Sequence, residues 1–341
     1  MSDRAETALD SLLRHRVIAV LGKGGVGRTS VSAAFAAYAA RKGMRTLVME
    51  SDPHTPVAAS YGAKANYVPV ELAPNLWSMH LGGRESLEEY LSLVVPRPIL
   101  RAVFMSSLYQ YFVDAAPAVR ELTMMGKIFH DIERRLASEP QWNLIVFDAP
   151  ASGQALSMIR MPFAARETFG ESIVGRQADN VAGFLRNQAM CAMVEVTTAE
   201  PLAIAETLEL HRELGKLGLV TAAVVFNRMS PASFDSVDIA RLVRRGARDA
   251  NLRHLGELAE IARGELKRRA RERRALGILQ RQIGSPLIKL QERRGLEEER
   301  CGLEEDRCGL AGRTLVEALI AQLSAPDSEQ DGQGATGPPV N

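Results

Sequence analysis

The sequence is poor in cysteine, in net charge, in long apolar runs and in aromatic residues, and each shortage closes off a class of protein. Only Cys191, Cys301 and Cys308 stand among 341 residues. They are too few and too scattered for a disulfide framework, and no two have the C-x-x-C spacing of a metal or redox pair. A reducing cytoplasm is therefore the expected compartment. Lys and Arg number 42 against 41 Asp and Glu, so no overall field draws the chain towards nucleic acid or anionic lipid, and no nucleic-acid partner is expected. Apolar runs such as 17–21 fall far short of the roughly 18 residues that a membrane span needs. The first ten residues carry Asp3, Glu6 and Asp10 and lack the apolar stretch of a secretory leader. The expectation is a protein neither secreted nor membrane-spanning. Aromatics make up 5% of the chain. None interleaves with the eight basic residues of 263–283, which carry only Glu265 and Glu272 against them. That stretch could touch phosphate or an acidic partner, but without stacking rings it reads better as the solvated face of a long helix.

What is present is ordinary globular composition, 46% apolar and 24% charged, at a length that suits one large domain or two modest ones. Residues 4–14 have amphipathic helical spacing. Residues 16–21 form an apolar run of strand length, a glycine-rich turn follows, 30–41 is an Ala-rich helix, and 45–50 reads as a second buried strand. Further strand candidates at 144–147, 192–196 and 220–226 are separated by helix-length segments such as 201–214. Strands alternating with helices predict an α/β fold with a mostly parallel sheet, which takes its ligands at the carboxyl ends of the strands. Between 86 and 136 strand signals vanish, and helical spacing predicts a helical subdomain carrying Met105, Met124 and Met125. Those methionines fill core gaps or form an adaptable surface for apolar clients. A heptad near-repeat within about 292–310 places Cys301 and Cys308 in the same phase. One leucine per seven residues cannot build a coiled-coil seam, so an inserted low-complexity loop or frayed helix is expected. A helix at 314–323 and a disordered tail at 324–341 close the chain.

The turn Gly22-Lys23-Gly24-Gly25-Val26-Gly27-Arg28-Thr29 sits between strand and helix, where successive backbone amides and a helix N-terminus face an anion. Two motifs overlap there. Gly22-x-Gly24-x-x-Gly27 is a dinucleotide fingerprint, and Glu50 at the end of the next strand could accept from a ribose hydroxyl, giving an NAD(P)-dependent oxidoreductase. The frame from Gly22 to Thr29 is also a P-loop, except that Arg28 stands where lysine belongs. Thr29 offers a hydroxyl where a P-loop needs a Mg²⁺ ligand. Asp148 projects from the end of the 144–147 strand towards the same loop. Asp52 lies just past the second strand, within reach of a water attacking a γ-phosphate. Each aspartate alone could be a turn or cap residue, but together they favour the nucleoside triphosphate.

GKGGVGRTS at 22–30, Asp52-Pro53, the run Phe147-Asp148-Ala149-Pro150-Ala151-Ser152-Gly153-Gln154 and Val224-Val225-Phe226-Asn227-Arg228 resemble the arsenite-pump ATPase (ArsA) family, which includes ATPases that deliver tail-anchored membrane proteins. The resemblance runs in order from about residue 16 to 283. It implies a P-loop ATPase domain over 1–323 of the deviant Walker A type that binds ATP with Mg²⁺ through Gly22, Lys23, Gly24, Gly25, Val26, Gly27, Arg28, Thr29, Ser30, Asp148, Pro150 and Asn227. Lys23 would reach the phosphates of a partner subunit in a homodimer, or in a heterodimer with a paralogue. The resemblance also implies Asp52 as the residue that orients the attacking water, Thr29 on Mg²⁺, Asp148 just behind the metal, Asn227 on the adenine edge, and an apolar helical client. The departures carry expectations too. An arginine fork at 28 is not interchangeable with a compact ammonium, so hydrolysis should be slow, or absent in a subunit that scaffolds an active paralogue. Gln154 replaces a histidine common in relatives. Without a cysteine cluster, arsenite is not an expected substrate.

Overall fold

The structure, a computed structural model, describes residues 8–94, 117–231, 254–292 and 305–324, with isolated positions in the segments between. Its centre is an eight-stranded sheet in the order β10-β9-β8-β1-β7-β2-β4-β3. The strands are β1 (Val17–Gly22), β2 (Thr46–Glu50), β3 (Val70–Ala73), β4 (Leu76–His80), β7 (Leu144–Asp148), β8 (Cys191–Thr197), β9 (Thr221–Met229) and β10 (Leu287–Gln291). All neighbours run parallel except β3, which pairs antiparallel with β4 at the edge. A separate two-stranded ribbon joins β5 (Arg135–Leu136) to β6 (Glu139–Pro140).

Continuous burial of β1, β2, β7 and β8 follows from layers on both faces of the sheet. Alternate residues of each strand serve opposite cores. Ile18, Val20, Val48, Val146 and Val194 pack with α2 (Arg28–Arg41) and with α10 (Glu305–Leu323) near the chain's end. α2 is buried nearly all round, and its alanines let the helix lie close on the strands. Val17, Ala19, Leu47, Met49, Phe147 and Met193 face the other core. That core is covered by α5 (Pro117–Glu133), α6 (Ser152–Phe169), α7 (Ile173–Arg186) and α8 (Pro201–Lys216).

Of the stretch expected to be a helical subdomain, α5 belongs to that second layer, and most of 95–116 lies outside the described residues. α4 (Gly83–Val94) and α5 are helices, as the spacing predicts, but Met125, Ile128 and Ile132 of α5 are buried against sheet residues Met49, Met79 and Phe147. Met125 and Met158 therefore fill core; Met105 lies outside the described residues. The helix expected at 4–14 is described as α1 (Ala8–Leu12). The heptad stretch is not wholly a loop, since α10 begins inside it at Glu305, while 293–304 and the tail at 325–341 lie outside the described residues. On α9 (His254–Gln282), Glu265 and Glu272 turn inward while Arg263, Lys267, Arg271, Arg273 and Arg274 are exposed, the arrangement of a solvated face. α3 (Pro56–Ser60) follows β2.

Candidate functional site

The carboxyl ends of β1, β7 and β2 lie side by side in the sheet, so the loops that follow them share one rim. Tight backbone approach shapes the β1 loop. Gly22 has φ +150°, and a Cβ there would meet the Val196 carbonyl oxygen at 2.3 Å. Gly27 has φ +95°, and a Cβ there would meet the Asn227 amide nitrogen at 2.3 Å. Only glycine fits either position without strain. Val26 is buried and pins the loop, whereas Gly24 and Gly25 are exposed with nothing near their α-carbons, leaving their amide ridge open to a ligand. Lys23 is half-buried beside them.

Asp148 is the charge around which the site is built. Thr29 Oγ1 donates to its Oδ2 at 2.8 Å and Ser32 Oγ donates to its Oδ1 at 2.9 Å. Burial pushes the Asp148 carboxyl above the usual range; the two hydroxyls and the Arg28 charge oppose that, and the Asp52 charge adds to it. Because the Thr29 hydroxyl spends its proton on Asp148, its lone pairs remain for a hard cation, which fits Mg²⁺. The β2 loop is tied to the same strand end: Ser51 N and Oγ both donate to the Asp148 carbonyl, at 3.2 and 2.9 Å. Asp52 follows, exposed, its Oδ1 accepting from the His54 amide at 2.8 Å. Its immediate job is thus a turn, on the loop tied to the Asp148 strand end.

Two predicted residues have placements that the sequence did not suggest. Arg28 Nη1 donates to the Ala149 carbonyl, the first residue of the loop after Asp148. Desolvation lowers the guanidinium's affinity for its proton, and Asp148 acts in the opposite sense. Asn227, 7% exposed, donates from Nδ2 to the Val26 carbonyl at 2.9 Å and accepts at Oδ1 from the Arg228 amide. Its amide is therefore already braced between the glycine loop and its own strand end. Pro150 is half-buried on the loop after Asp148, and Ser30 is half-buried in the first turn of α2. Ser32 and Ser51 were missed, although Ser32 lies one helical turn beyond Thr29.

Glu50 overturns the dinucleotide reading on geometric grounds. Fully buried, it accepts from the amides of Val57 and Ala58 at 2.7 and 3.1 Å, capping α3, and from Ser78 Oγ at 2.5 Å. No carboxylate oxygen is left turned towards a ribose. Burial raises its pKa, and those same donors oppose the rise.

The comparison with known families agrees. The sequence model of a family described as an anion-transporting ATPase (ArsA) matches residues 15–178. Residues 15–178 therefore resemble the ArsA-type ATPases in sequence. ATPase BagA of Mycobacterium tuberculosis is 26% identical over 234 residues, 66% of this chain and 68% of that protein. ATPase asna-1 of Caenorhabditis elegans is 23% identical over 277 residues, 67% and 80% of the two chains. An arsenical pump-driving ATPase of Acidiphilium multivorum is 24% identical over 252 residues, covering 68% of this chain and 43% of its own length. Similarity to these ATPases supports nucleotide binding and does not favour the oxidoreductase. Among the described residues no helix is long and apolar enough to cross a membrane.

Proposed function

We propose that this protein is a Mg²⁺-ATP-dependent cytoplasmic switch that dimerises around its nucleotide and hydrolyses it slowly. The observation that carries the reading is the Asp148 carboxylate, held by the Thr29 and Ser32 hydroxyls at the mouth of the glycine loop. Loop amides from Gly24 to Thr29 bind phosphate, Thr29 holds the metal, Asp148 keeps the hydroxyl oriented, and Asp52 positions water. Mg²⁺, when bound, supplies charge to the phosphate oxygens. Lys23, at the loop tip, reaches across to a second subunit.

A client surface is part of this reading. A cavity of about 460 Å³ between α4, α5 and α7 is walled by Leu87, Leu122, Phe129, Val174 and Val181. A spanning helix of about 30 Å length and 10 Å width displaces roughly 2,400 Å³. The cavity thus takes a few apolar side chains of a helical client rather than the whole helix. The second reading, a non-hydrolysing subunit beside an active paralogue, draws support from Arg28, whose fork is turned to Ala149.

Side-by-side calorimetry and turnover with ATP, ADP and NADH test the assignment. Binding of Mg²⁺-ATP with no response to NADH is expected; stabilisation by NADH alone would overturn it.

A further inference from the structure

Arg28 and Ala149 are 121 positions apart in sequence, yet the guanidinium Nη1 of one donates to the carbonyl of the other. A guanidinium has five N–H donors in a rigid plane, and a single carbonyl takes only one of them; a lysine ammonium is a compact charge without a second edge. Arg28 is also the first residue of α2, at the helix N-terminus where phosphate amides converge. Resting on the nucleotide reading above, we propose that Arg28 is a positioning residue that bridges two partners with one fork. Nη1 holds the loop after Asp148 through the Ala149 carbonyl, while the remaining edge takes a nucleotide phosphate.

The bridge has somewhere to lead. α6 starts at Ser152, three residues beyond Ala149, and Ser152 Oγ donates to Glu206 of α8 at 2.9 Å. Five residues further on, Ser157 Oγ donates to Glu121 of α5 at 2.8 Å. α6 ends at Phe169, which lines the apolar cavity. Holding Ala149 therefore holds the root of a helix whose other end touches the candidate client surface. The desolvation of Arg28 strengthens both contacts, since a charged donor removed from water binds its acceptors more firmly.

Hydrogen exchange of the 149–154 segment, read by mass spectrometry on the full chain with and without Mg²⁺-ADP, tests the bridge. ADP fills the phosphate loop without a γ-phosphate that could contact this segment itself. In wild type, exchange should be slow and should slow further with ADP. Arg28→Lys should exchange about tenfold faster or more without nucleotide, the scale of a lost hydrogen bond from a charged donor, and ADP should restore little. Arg28→Met, which keeps the stem but no donor, should behave the same way and also bind ADP more weakly by calorimetry. Equal exchange in wild type and both variants would overturn the hold on the loop. Faster exchange of wild type on adding ADP would overturn bridging in favour of competition. Failure of wild type to bind ADP at all would overturn the nucleotide reading and the bridge with it, whereas the contrast without nucleotide reports on the Ala149 contact alone.

Discussion

Asn227 donates its side-chain amide to the carbonyl of Val26, a residue 201 positions earlier, at 2.9 Å. The glycine loop is thus braced from behind by the end of β9, the strand end expected to face the base. Gly27 lies in the narrow gap this creates.

Gly27→Ala should be destabilising by about 1–3 kcal/mol, because alanine at φ +95° is strained and its Cβ overlaps the Asn227 amide. Pairing it with Asn227→Ala should recover only part of the loss, since the backbone strain remains. Urea denaturation of the three proteins checks this, and a fully additive pair would show that the two residues do not collide.

Thr29→Ala should abolish the Mg²⁺ dependence of ATP binding. It also removes one of the two hydroxyl donors from a buried carboxylate, at a cost of about 1–3 kcal/mol. Isothermal titration of ATP at several Mg²⁺ concentrations reads the first effect and thermal melting the second. A variant that kept a wild-type metal dependence would remove Thr29 from the metal site.

Lys23→Ala should weaken association in the presence of a non-hydrolysable ATP analogue while leaving the protein's fold intact, because Lys23 sits at the half-buried loop tip. Sedimentation velocity decides it: indistinguishable association of variant and wild type would assign Lys23 to the loop alone.

Arg28→Lys should raise single-turnover hydrolysis by about 10²–10³, the scale of one well-placed charged donor, while scarcely altering ATP affinity. Robust wild-type turnover that lysine does not improve would mean that another cation, such as the partner's Lys23, suffices.

His211 gives a pH signature away from the loop. Its Nδ1 lies 3.3 Å from the buried Glu195 carboxylate and 2.9 Å from Thr221 Oγ1, and the Glu195 interaction raises its pKa above the ordinary value. A raised folded-state pKa favours the folded state fully below the unfolded value of about 6.5 and less as pH climbs through the folded value. Comparing the melting temperatures of wild type and His211→Gln from pH 5 to 8 should show a wild-type advantage that fades on the alkaline side; a constant difference would remove His211 from the titration.

Local pattern made the centre of this fold legible. β1, the glycine loop and α2 are consecutive, and β7 ends in the aspartate that faces them, so glycine spacing and apolar runs sufficed. β4 escaped because Ser78 interrupts its apolar pattern. That hydroxyl is buried on Glu50, a partner 28 positions away. β10 is a short edge strand with Lys289 in the middle, and its burial alternates. In the site, the meeting of Asp148 with the start of α2 could be anticipated from chemistry, whereas the Arg28–Ala149 and Asn227–Val26 bonds join distant segments and depend on a main-chain carbonyl, which carries no residue identity to read. Glu50 misled because a carboxylate at a strand end looks alike whether it meets a sugar or caps a helix.

The placement of β1 between β7 and β8 orders events during biosynthesis. Val17 aligns with Ile145 on one side and Cys191 on the other, so the strand that launches the phosphate loop emerges from the ribosome long before either neighbour exists. At about 5–20 residues per second, roughly 6–26 s separate Val17 from its β7 partner Ile145. During that interval the nascent chain carries an unpaired, wholly apolar strand, the kind of segment that chaperones shield.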